Sequence, residues 1–463
     1  MATGTISSLG VGSGLDLNGM LDKLRAVDDQ VITTKKNTIA TTKSQMDEFT
    51  VVNNKLLTMK SSALDLSLST TFLSRTVTSS SPSVFTATVA DGTAAQSTSV
   101  TVNRLATKSI WMSAGKAAAT TSVNTTGSSQ NFSYRVGGTD ITVAVANGTT
   151  LSGLVDLVNN DTDNPGVTAS LINDGSAVTP YKLVLQTKAT GSNQEITQMT
   201  AQLPDLAMSV QGQTGVNLNA QVTIDGVSYQ RQGNAINDVL SGVTLNLQGA
   251  GISTVSVANN NDAVTKKVVD FVAAYNDAVQ EVSKNTAYNN DTKDFGILAR
   301  STLRDLPYAL ENLMTSQVKA DSKGLVTNMF DLGMAFNRDG TISIDTTKLS
   351  AAISASPDSV SALFLGDSAA GITGLGDKVN NYLREVTSDT GQIKAEKTAA
   401  QTRIDDMQLQ IEDMTARLDK RYDMLTKQFV ALDQYMSQMK SMGTYLTGQF
   451  NSLNGTQSGS SSN

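Results

Sequence analysis

Three short stretches of the sequence have the residue types and spacing of known chemical sites, and each lacks a part that its chemistry requires. Residues 161–166 (Asp-Thr-Asp-Asn-Pro-Gly) begin like a calcium-binding loop, but Ile172 stands where the twelfth-position glutamate should bind the ion. Residues 10–14 (Gly-Val-Gly-Ser-Gly) lack the third glycine of a dinucleotide-binding fingerprint and follow no predicted strand. Residues 316–319 (Ser-Gln-Val-Lys) match a serine acyl enzyme motif without its Ser-Asp-Asn and Lys-Thr-Gly companions.

The composition excludes most other catalytic chemistry. The chain has no cysteine and no histidine, which excludes disulfides, thiol nucleophiles and the commonest metal ligand and general base. Its carboxylates lie among lysines and arginines on predicted helices, which is typical of solvated surface. We therefore expect no enzyme activity, no metal site and no cofactor.

Length and charge set the broad class of the protein. A chain of 463 residues is too long for one ordinary core, so two to four domains are expected. Charged residues are only 17% and the net charge is -7, which disfavours a nucleic-acid partner. No apolar run approaches the roughly 20 residues of a membrane span. The first cation is Lys23, so a Sec-type signal peptide is not expected.

Two apolar stripes near the N-terminus predict helices. The first consists of Leu15, Leu17, Leu21 and Leu24. The second runs through residues 46–66 in steps of three and four. Residues 33–44 between them are polar, so the first stripe need not pack within a monomer. Ser13 or Asp16 is expected to begin the first helix.

The C-terminal third carries a longer seam with the a/d spacing of a coiled coil. Its members are Ile404, Met407, Ile411, Met414, Leu418, Tyr422, Leu425, Phe429, Leu432, Met436 and Met439. Periodicity alone leaves two alternatives open, a helical bundle within the monomer and assembly with other subunits. The first N-terminal stripe and residues 404–450 show no obvious core within the monomer, so we expect both to bind other subunits.

The middle of the chain, from about residue 79 to 261, is rich in Thr, Ser, Val, Asn and Gly and is predicted to be β-rich. Short strands are predicted at 84–90, 99–102, 134–145, 181–187, 220–229 and 243–247. The pairs Gly137-Gly138, Asp225-Gly226 and Ser241-Gly242 indicate turns. Residues 114–130 are expected to form an exposed loop or linker.

Helical signal returns after the β-rich middle. Asn261 is a plausible N-cap for a helix. Residues 334–345 predict two short strands joined by a turn at Asp339-Gly340, and Ser356-Pro357 predicts the start of another helix. The fold class is therefore α+β and multidomain, with terminal coiled-coil helices and a helical domain enclosing inserted β-rich domains.

Three segments together resemble the flagellar filament-capping family, also called hook-associated protein 2. They are residues 6–17, 337–353 and 422–446. Residues 151–160 and 166–191 resemble a repeat found in flagellins and caps. The matches stand in order and cover nearly the whole chain.

The resemblance implies a leg of paired terminal helices, a helical domain above it, and two β-rich domains that form a plate. The expected segments are an N-terminal leg helix at 1–43, a helical domain at 44–78 and 261–397, a β-rich plate domain at 79–113 and 216–260, an inserted second β-rich domain at 114–215, and a C-terminal coiled-coil leg at 398–463.

The resemblance also implies a function. The protein would be a secreted, extracellular structural cap at the distal tip of the bacterial flagellar filament, exported by the type III route. It would promote flagellin folding and insertion and prevent leakage of exported flagellin. The implied partners are flagellin, further copies in a ring-shaped homo-oligomer (commonly a pentamer in the family), the hook–filament junction protein and an export chaperone.

The candidate site is the set of apolar residues expected to contact flagellin or other copies. They are Leu15, Leu17, Leu21, Leu24, Ile404, Met407, Ile411, Met414, Leu418, Leu425, Phe429, Leu432 and Met436. Two alternative readings remain, the hook–filament junction protein itself and a cap with additional adhesin activity.

Overall fold

The computed structural model describes residues 10, 14–291, 293–320 and 323–455 of the chain. The chain divides into two compact units. One unit is Leu68–Thr265, here called the β-rich unit, and the other comprises the segments up to Ser67 and from Lys266 onward, here called the end unit. Most of the N-terminal motif at residues 6–17, including Ser13, lies outside the described residues.

Nine α-helices form within the described residues. In chain order they are α1 Leu17–Leu66, α2 Ser69–Phe72, α3 Leu151–Asn160, α4 Asn261–Thr286, α5 Leu306–Met314, α6 Thr346–Ala355, α7 Pro357–Leu365, α8 Leu375–Thr387 and α9 Gln392–Gly455. The helices α1 and α9, of 50 and 64 residues, dominate the end unit.

The described strands are short and mostly lie in the β-rich unit. They are β1 Arg75–Ser79, β2 Phe85–Val89, β3 Gln96–Arg104, β4 Ile110–Ser113, β5 Gln130–Val136, β6 Thr139–Val145, β7 Val167–Asn173, β8 Tyr181–Thr187, β9 Ile196–Ala201, β10 Met208–Gln211, β11 Ala220–Ile224, β12 Val227–Arg231, β13 Ala235–Leu240, β14 Val243–Leu247, β15 Gly251–Asn259, β16 Tyr288–Asn289, β17 Asp294–Phe295, β18 Met334–Phe336, β19 Ile342–Ile344, β20 Gly366–Asp367 and β21 Ile372–Thr373.

Helix α1 is one uninterrupted helix. Asp16 caps it as expected, accepting a hydrogen bond from the Gly19 amide at 2.8 Å. The two apolar stripes predict separate helices on either side of the polar residues 33–44, and this prediction is wrong, because one helix runs through both stripes. Threonine hydroxyls in this segment bond to carbonyl oxygens four residues earlier, so they are satisfied inside the helix. Ile39 and Thr42 are buried there.

The second half of α1 forms the core of the end unit. Its buried residues recur in steps of three and four: Phe49, Val52, Leu56, Met59, Ala63 and Leu66. Helix α8 packs against α1, and Gly376 permits the close approach, because a Cβ there would stand 2.9 Å from the Ser67 backbone nitrogen. Each large apolar side chain buried in this way contributes about 1.5–3 kcal/mol.

The β-rich unit contains two hydrophobic cores. A five-stranded sheet of order β1-β15-β3-β11-β12 and a three-stranded sheet of order β13-β14-β2 contribute to the first, which includes Phe85 and Leu245. Sheets of order β10-β4-β8-β7 and β6-β5-β9, with α3, contribute to the second, which includes Phe132 and Leu183. Alternate residues point inward along the strands, as in β3 and β15.

Most strand and turn predictions for this unit are confirmed. The predicted strands at 181–187 and 243–247 coincide with β8 and β14. The segments 134–145 and 220–229 are hairpins rather than single strands, because Gly137-Gly138 and Asp225-Gly226 turn the chain at positive φ.

One loop prediction in the β-rich unit needs correction. Residues 114–130 are not simply exposed, because Val123 and Asn124 are fully buried. The Asn124 side-chain amide donates to the Ser128 and Val145 carbonyls at 2.9 and 2.8 Å, which fixes the loop on the second core.

The helix starts after the β-rich middle agree with the sequence to within one residue. Asn260, not Asn261, caps α4, since its side chain accepts a hydrogen bond from the Ala263 amide at 3.1 Å. The hairpin of β18 and β19 is confirmed, and α7 begins with Ser356 as N-cap and Pro357 in its first turn. The fold is α+β, with helical ends and β-rich domains between them.

Candidate assembly surface

The leg of the end unit consists of α1 and α9 packed side by side. Three hydrogen bonds fix their direction: Lys397 Nζ to Thr50 Oγ1 at 2.8 Å, Lys35 Nζ to Gln410 Oε1 at 2.7 Å, and Arg421 Nη1 to Asp28 Oδ2 at 3.0 Å. The residue number rises along α9 as it falls along α1. The two helices are therefore antiparallel.

A polar cluster fastens the leg near the start of α1. The buried Tyr422 donates its hydroxyl hydrogen to Asp28 Oδ2 at 2.8 Å, and Arg421 pairs with the same carboxylate. Arg25 lies 5.7 Å above the Tyr422 ring and also pairs with Asp419. Burial first, and then the contact with Asp28, raise the pKa of Tyr422.

The structure places the predicted seam residues in three groups. Leu17, Leu21 and Ile404 are buried. The half-buried group is Met407, Ile411, Met414, Leu418, Leu425 and Phe429. The exposed group is Leu15, Leu24, Leu432 and Met436. The expectation that these stripes lack a core within the monomer is therefore wrong for the seam up to Phe429, because α1 and α9 cover each other.

Helix α9 continues beyond the level at which α1 begins. Since Asp28 pairs with Arg421, Leu17 lies near the level of residue 432, and the remainder of α9 is about 35 Å long at 1.5 Å per residue. This part carries nine apolar residues that are between 41% and 66% exposed, here called the distal seam: Leu432, Tyr435, Met436, Met439, Met442, Tyr445, Leu446, Phe450 and Leu453.

The sequence indicated the distal seam in part and gave no sign of the polar cluster. The predicted stripe reaches residue 450 but its named members end at Met439, although the three-and-four spacing continues through Met442, Leu446 and Phe450 to Leu453. The same periodicity was available to find these residues. The polar cluster has no such signal, because its partners are almost 400 residues apart in the chain.

Two kinds of site are absent from the described residues. They contain no group of three or more His, Cys, Asp or Glu side chains placed to hold a metal ion. No helix among them is both long enough and apolar enough to cross a membrane. A helical leg with an exposed apolar seam and β-rich domains inserted between its helices is the architecture of a structural protein that contacts other proteins.

Comparison with known proteins identifies the family. The family described as flagellar hook-associated protein 2 matches in two parts, its N-terminus at residues 13–109 and its C-terminus at residues 218–441. A flagellin hook IN motif matches residues 131–189 between them. The chain therefore belongs to the flagellar hook-associated protein 2 family, and the resemblance noted in the sequence is confirmed.

Individual relatives agree with this assignment. The chain is 28% identical to flagellar hook-associated protein 2 of Escherichia coli K12, over 96% of this chain and 98% of that one. It is 26% identical to the B-type protein of Pseudomonas aeruginosa, with the same coverage. The Campylobacter jejuni protein is 29% identical over 79% of this chain, which spans only 65% of that longer relative.

A solved structure supports the fold as well. The crystal structure of the D1-D2-D3 domains of the Escherichia coli flagellar cap protein FliD matches with a TM-score of 0.57 and 26% identity. The match covers 76% of this chain and 99% of that one. The fold of this chain therefore agrees with its assignment to the hook-associated protein 2 family.

Proposed function

We propose that this protein caps the distal tip of the bacterial flagellar filament as a ring of copies. In this role it promotes the folding and insertion of exported flagellin and prevents its leakage into the medium. The observation that carries the proposal is the distal seam, in which nine apolar side chains of one helix stand exposed at the end of the leg. Exposed apolar surface on this scale marks a protein interface.

The composition of the distal seam suits partners that change during assembly. Met436, Met439 and Met442 are flexible, polarizable side chains that repack against differently shaped surfaces. A cap must release one flagellin subunit and engage the next each time the filament lengthens. Adaptable contacts at the end of the leg meet that requirement better than a rigid, fully complementary face.

The part of the leg in which α1 and α9 pack against each other would be its rigid part. The polar cluster around Tyr422 joins α1 to α9, and Leu17 and Ile404 on these helices are buried. In the proposal, residues 1–43 and 398–463 form the leg, residues 44–78 and 261–397 the helical domain, and residues 79–260 the plate. We further propose export by the type III route, with the junction protein and an export chaperone as additional partners.

Site-specific labelling tests where the protein acts. The chain has no cysteine. A Val178→Cys variant therefore accepts a single maleimide dye on intact cells, because Val178 is 77% exposed in a loop of the β-rich unit. We expect label only at filament tips. Label at the filament base would instead indicate the junction protein, and label over the cell surface would indicate an adhesin. Cells carrying the unsubstituted chain control for background.

A further inference from the structure

A second exposed surface of the end unit surrounds the loop between α4 and α5. Three adjoining clefts of about 440–460 Å³ lie here. Arg300 lines the first and second of them, and Phe295 and Arg304 line the second and third. Two tyrosines, Tyr288 and Tyr308, line the same region, and Tyr308 is 71% exposed. We call this surface, defined by these five residues, the aromatic–arginine cleft.

The arginines at the cleft are available for an incoming group. Within the described parts of the chain, the guanidinium groups of Arg300, Arg304 and the nearby Arg338 form no ion pair and no hydrogen bond. The carboxylates that also line the clefts are Asp294, Glu311, Asp339 and Glu396. Three of them already accept amide hydrogen bonds, from Phe295, Thr341 and Thr302 at 2.8, 3.1 and 3.0 Å.

The residue types at the cleft point to a protein partner. Tyrosine and arginine are the residues most enriched in the energetic centres of protein interfaces. Aromatic residues make up only 5% of the chain, yet three of the exposed ones lie together here. An apolar side chain surrounded by carboxylates would fill the aromatic part of the cleft and engage the arginines at the same time.

The chain itself presents such a group on α9. Leu409 is 65% exposed, and Asp405, Asp406, Glu412 and Asp413 stand three or four residues from it on the same face. At about 100° per residue this face lies about 140° around the helix from Ile404. It therefore points away from α1.

We propose that Leu409 of one copy docks in the aromatic–arginine cleft of the next copy. The carboxylates that surround Leu409 on α9 then pair with Arg300 and Arg304 of that next copy. This contact deepens the proposed cap by naming how its copies join. The cleft meets α9 at Glu396 and Arg403, on a flank about 130° around the helix from Leu409. Two different patches on separate flanks make a head-to-tail contact, which closes into a ring when the rotation permits.

Disulfide trapping tests the contact directly, because the natural chain contains no cysteine. Full-length Tyr308→Cys and Leu409→Cys proteins are mixed under mild oxidation, both as concentrated protein and on isolated filaments. We expect covalent dimers, since a disulfide forms only when the two Cα atoms come within about 7 Å. Leu409→Cys mixed with Asn381→Cys, an exposed position on α8, measures random collision.

Charge reversal adds a rescue test. Arg300→Glu with Arg304→Glu is expected to lower the dimer yield about tenfold, and so is Asp405→Lys with Glu412→Lys. Combining all four changes in one chain restores complementary charges and should restore the yield. The matched control Arg384→Glu alters an exposed α8 arginine and should change nothing. Thermal melts of each variant confirm that it is folded.

The outcomes separate this contact from the cap function. The contact is overturned if no disulfide forms in either preparation, or if the fourfold variant does not recover the dimer yield. In either case, labelling at the tips alone would still support the cap function. Reversal that weakens flagellin binding but leaves the dimer yield unchanged assigns the cleft to flagellin and also overturns it. Labelling away from the tips overturns the cap function, whatever the disulfide yield.

Discussion

At the scale of single residues, the ionisation of Tyr422 reports on the closure of the leg. Its raised pKa comes first from burial and then from Asp28. A raised pKa in the folded state means that this contact stabilises fully below the ordinary tyrosine value of about 10 and is lost as pH rises through the higher folded value. We predict that Asp28→Ala lowers the pKa of Tyr422 toward about 10, measured by NMR titration of labelled tyrosine.

Tyr422→Phe identifies the signal in that titration and serves as its control. The same Asp28→Ala variant should let proteases cut the start of α1 sooner at neutral pH, because Tyr422 and Arg421 both lose their partner. A Tyr422 titration that Asp28→Ala leaves unchanged would show that the two side chains do not meet in solution.

Residue roles were only partly predictable from the sequence. The spacing of Leu17, Leu21 and Ile404 correctly indicates an apolar face, but it does not say which surface covers that face. In the structure these three residues are buried, and α1 packs against α9 of the same chain. By contrast, Leu432 and Met436 have the same spacing and remain exposed, because α9 extends beyond the level at which α1 begins.

At the scale of elements, glycine-to-alanine changes at two helical positions separate the effect of helix packing on stability from that of helix propensity. Gly376→Ala would push a methyl group into the backbone at Leu66 and Ser67, and we predict a loss of about 1–3 kcal/mol. Gly443→Ala, in α9 with open space around it, is the matched control and should strengthen its helix by about 0.5–1 kcal/mol.

Denaturant unfolding of both glycine variants measures this difference. A Gly376→Ala protein as stable as the natural one would mean that α8 does not approach α1 as closely as described. A destabilised Gly443→Ala protein would place that residue in a contact, and so would contradict the open space around it.

Element boundaries were predictable where local chemistry decides them. Asp16 begins α1 with a side-chain cap, and Pro357 in the first turn marks the start of α7 without a cap hydrogen bond from the Ser356 side chain. The glycine-containing turns form hairpins. The continuous helix through residues 33–44 was not predictable by polarity, because threonine hydroxyls can bond to the helix backbone instead of interrupting it.

At the scale of the whole molecule, the second core of the β-rich unit is expected to be removable. The Thr107 amide donates to the Leu218 carbonyl at 2.9 Å, so the chain ends left by deleting residues 108–217 lie side by side. We predict that this deletion protein folds, still reaches filament tips and releases more flagellin. Thermal melting and tip labelling measure the outcome.

The alternative deletion of residues 114–215 provides the comparison. It removes both sheet neighbours of β4 and leaves Trp111 without its packing, so we expect a less stable, aggregating product. Equal stability of the two deletion proteins would argue against the second core as described.

The succession of helical and β-rich segments was predictable from the sequence, since the composition shifts from helical to β-rich and back. The pairing of the chain ends could not be derived from periodicity, because periodicity identifies the apolar face of each helix but not the helix that packs against it. The three hydrogen bonds that set the antiparallel direction join residues hundreds of positions apart. The family resemblance predicted that the terminal helices pair as a leg. The structure shows which residues of α1 and α9 lie side by side and that the distal seam is exposed.

The distal seam is the most direct place to test capping. A strain lacking the natural gene is complemented with Leu432→Gln, Met436→Gln and Met439→Gln together, all at exposed positions of α9. The control changes the exposed Gln434, Gln438 and Ser441 of another face to alanine. The decisive quantity is unpolymerised flagellin in the culture medium. We predict that the seam variant leaks flagellin although its monomer melts as the natural protein does, and that the control does not leak. A stable seam variant that builds full filaments without leakage would contradict the account.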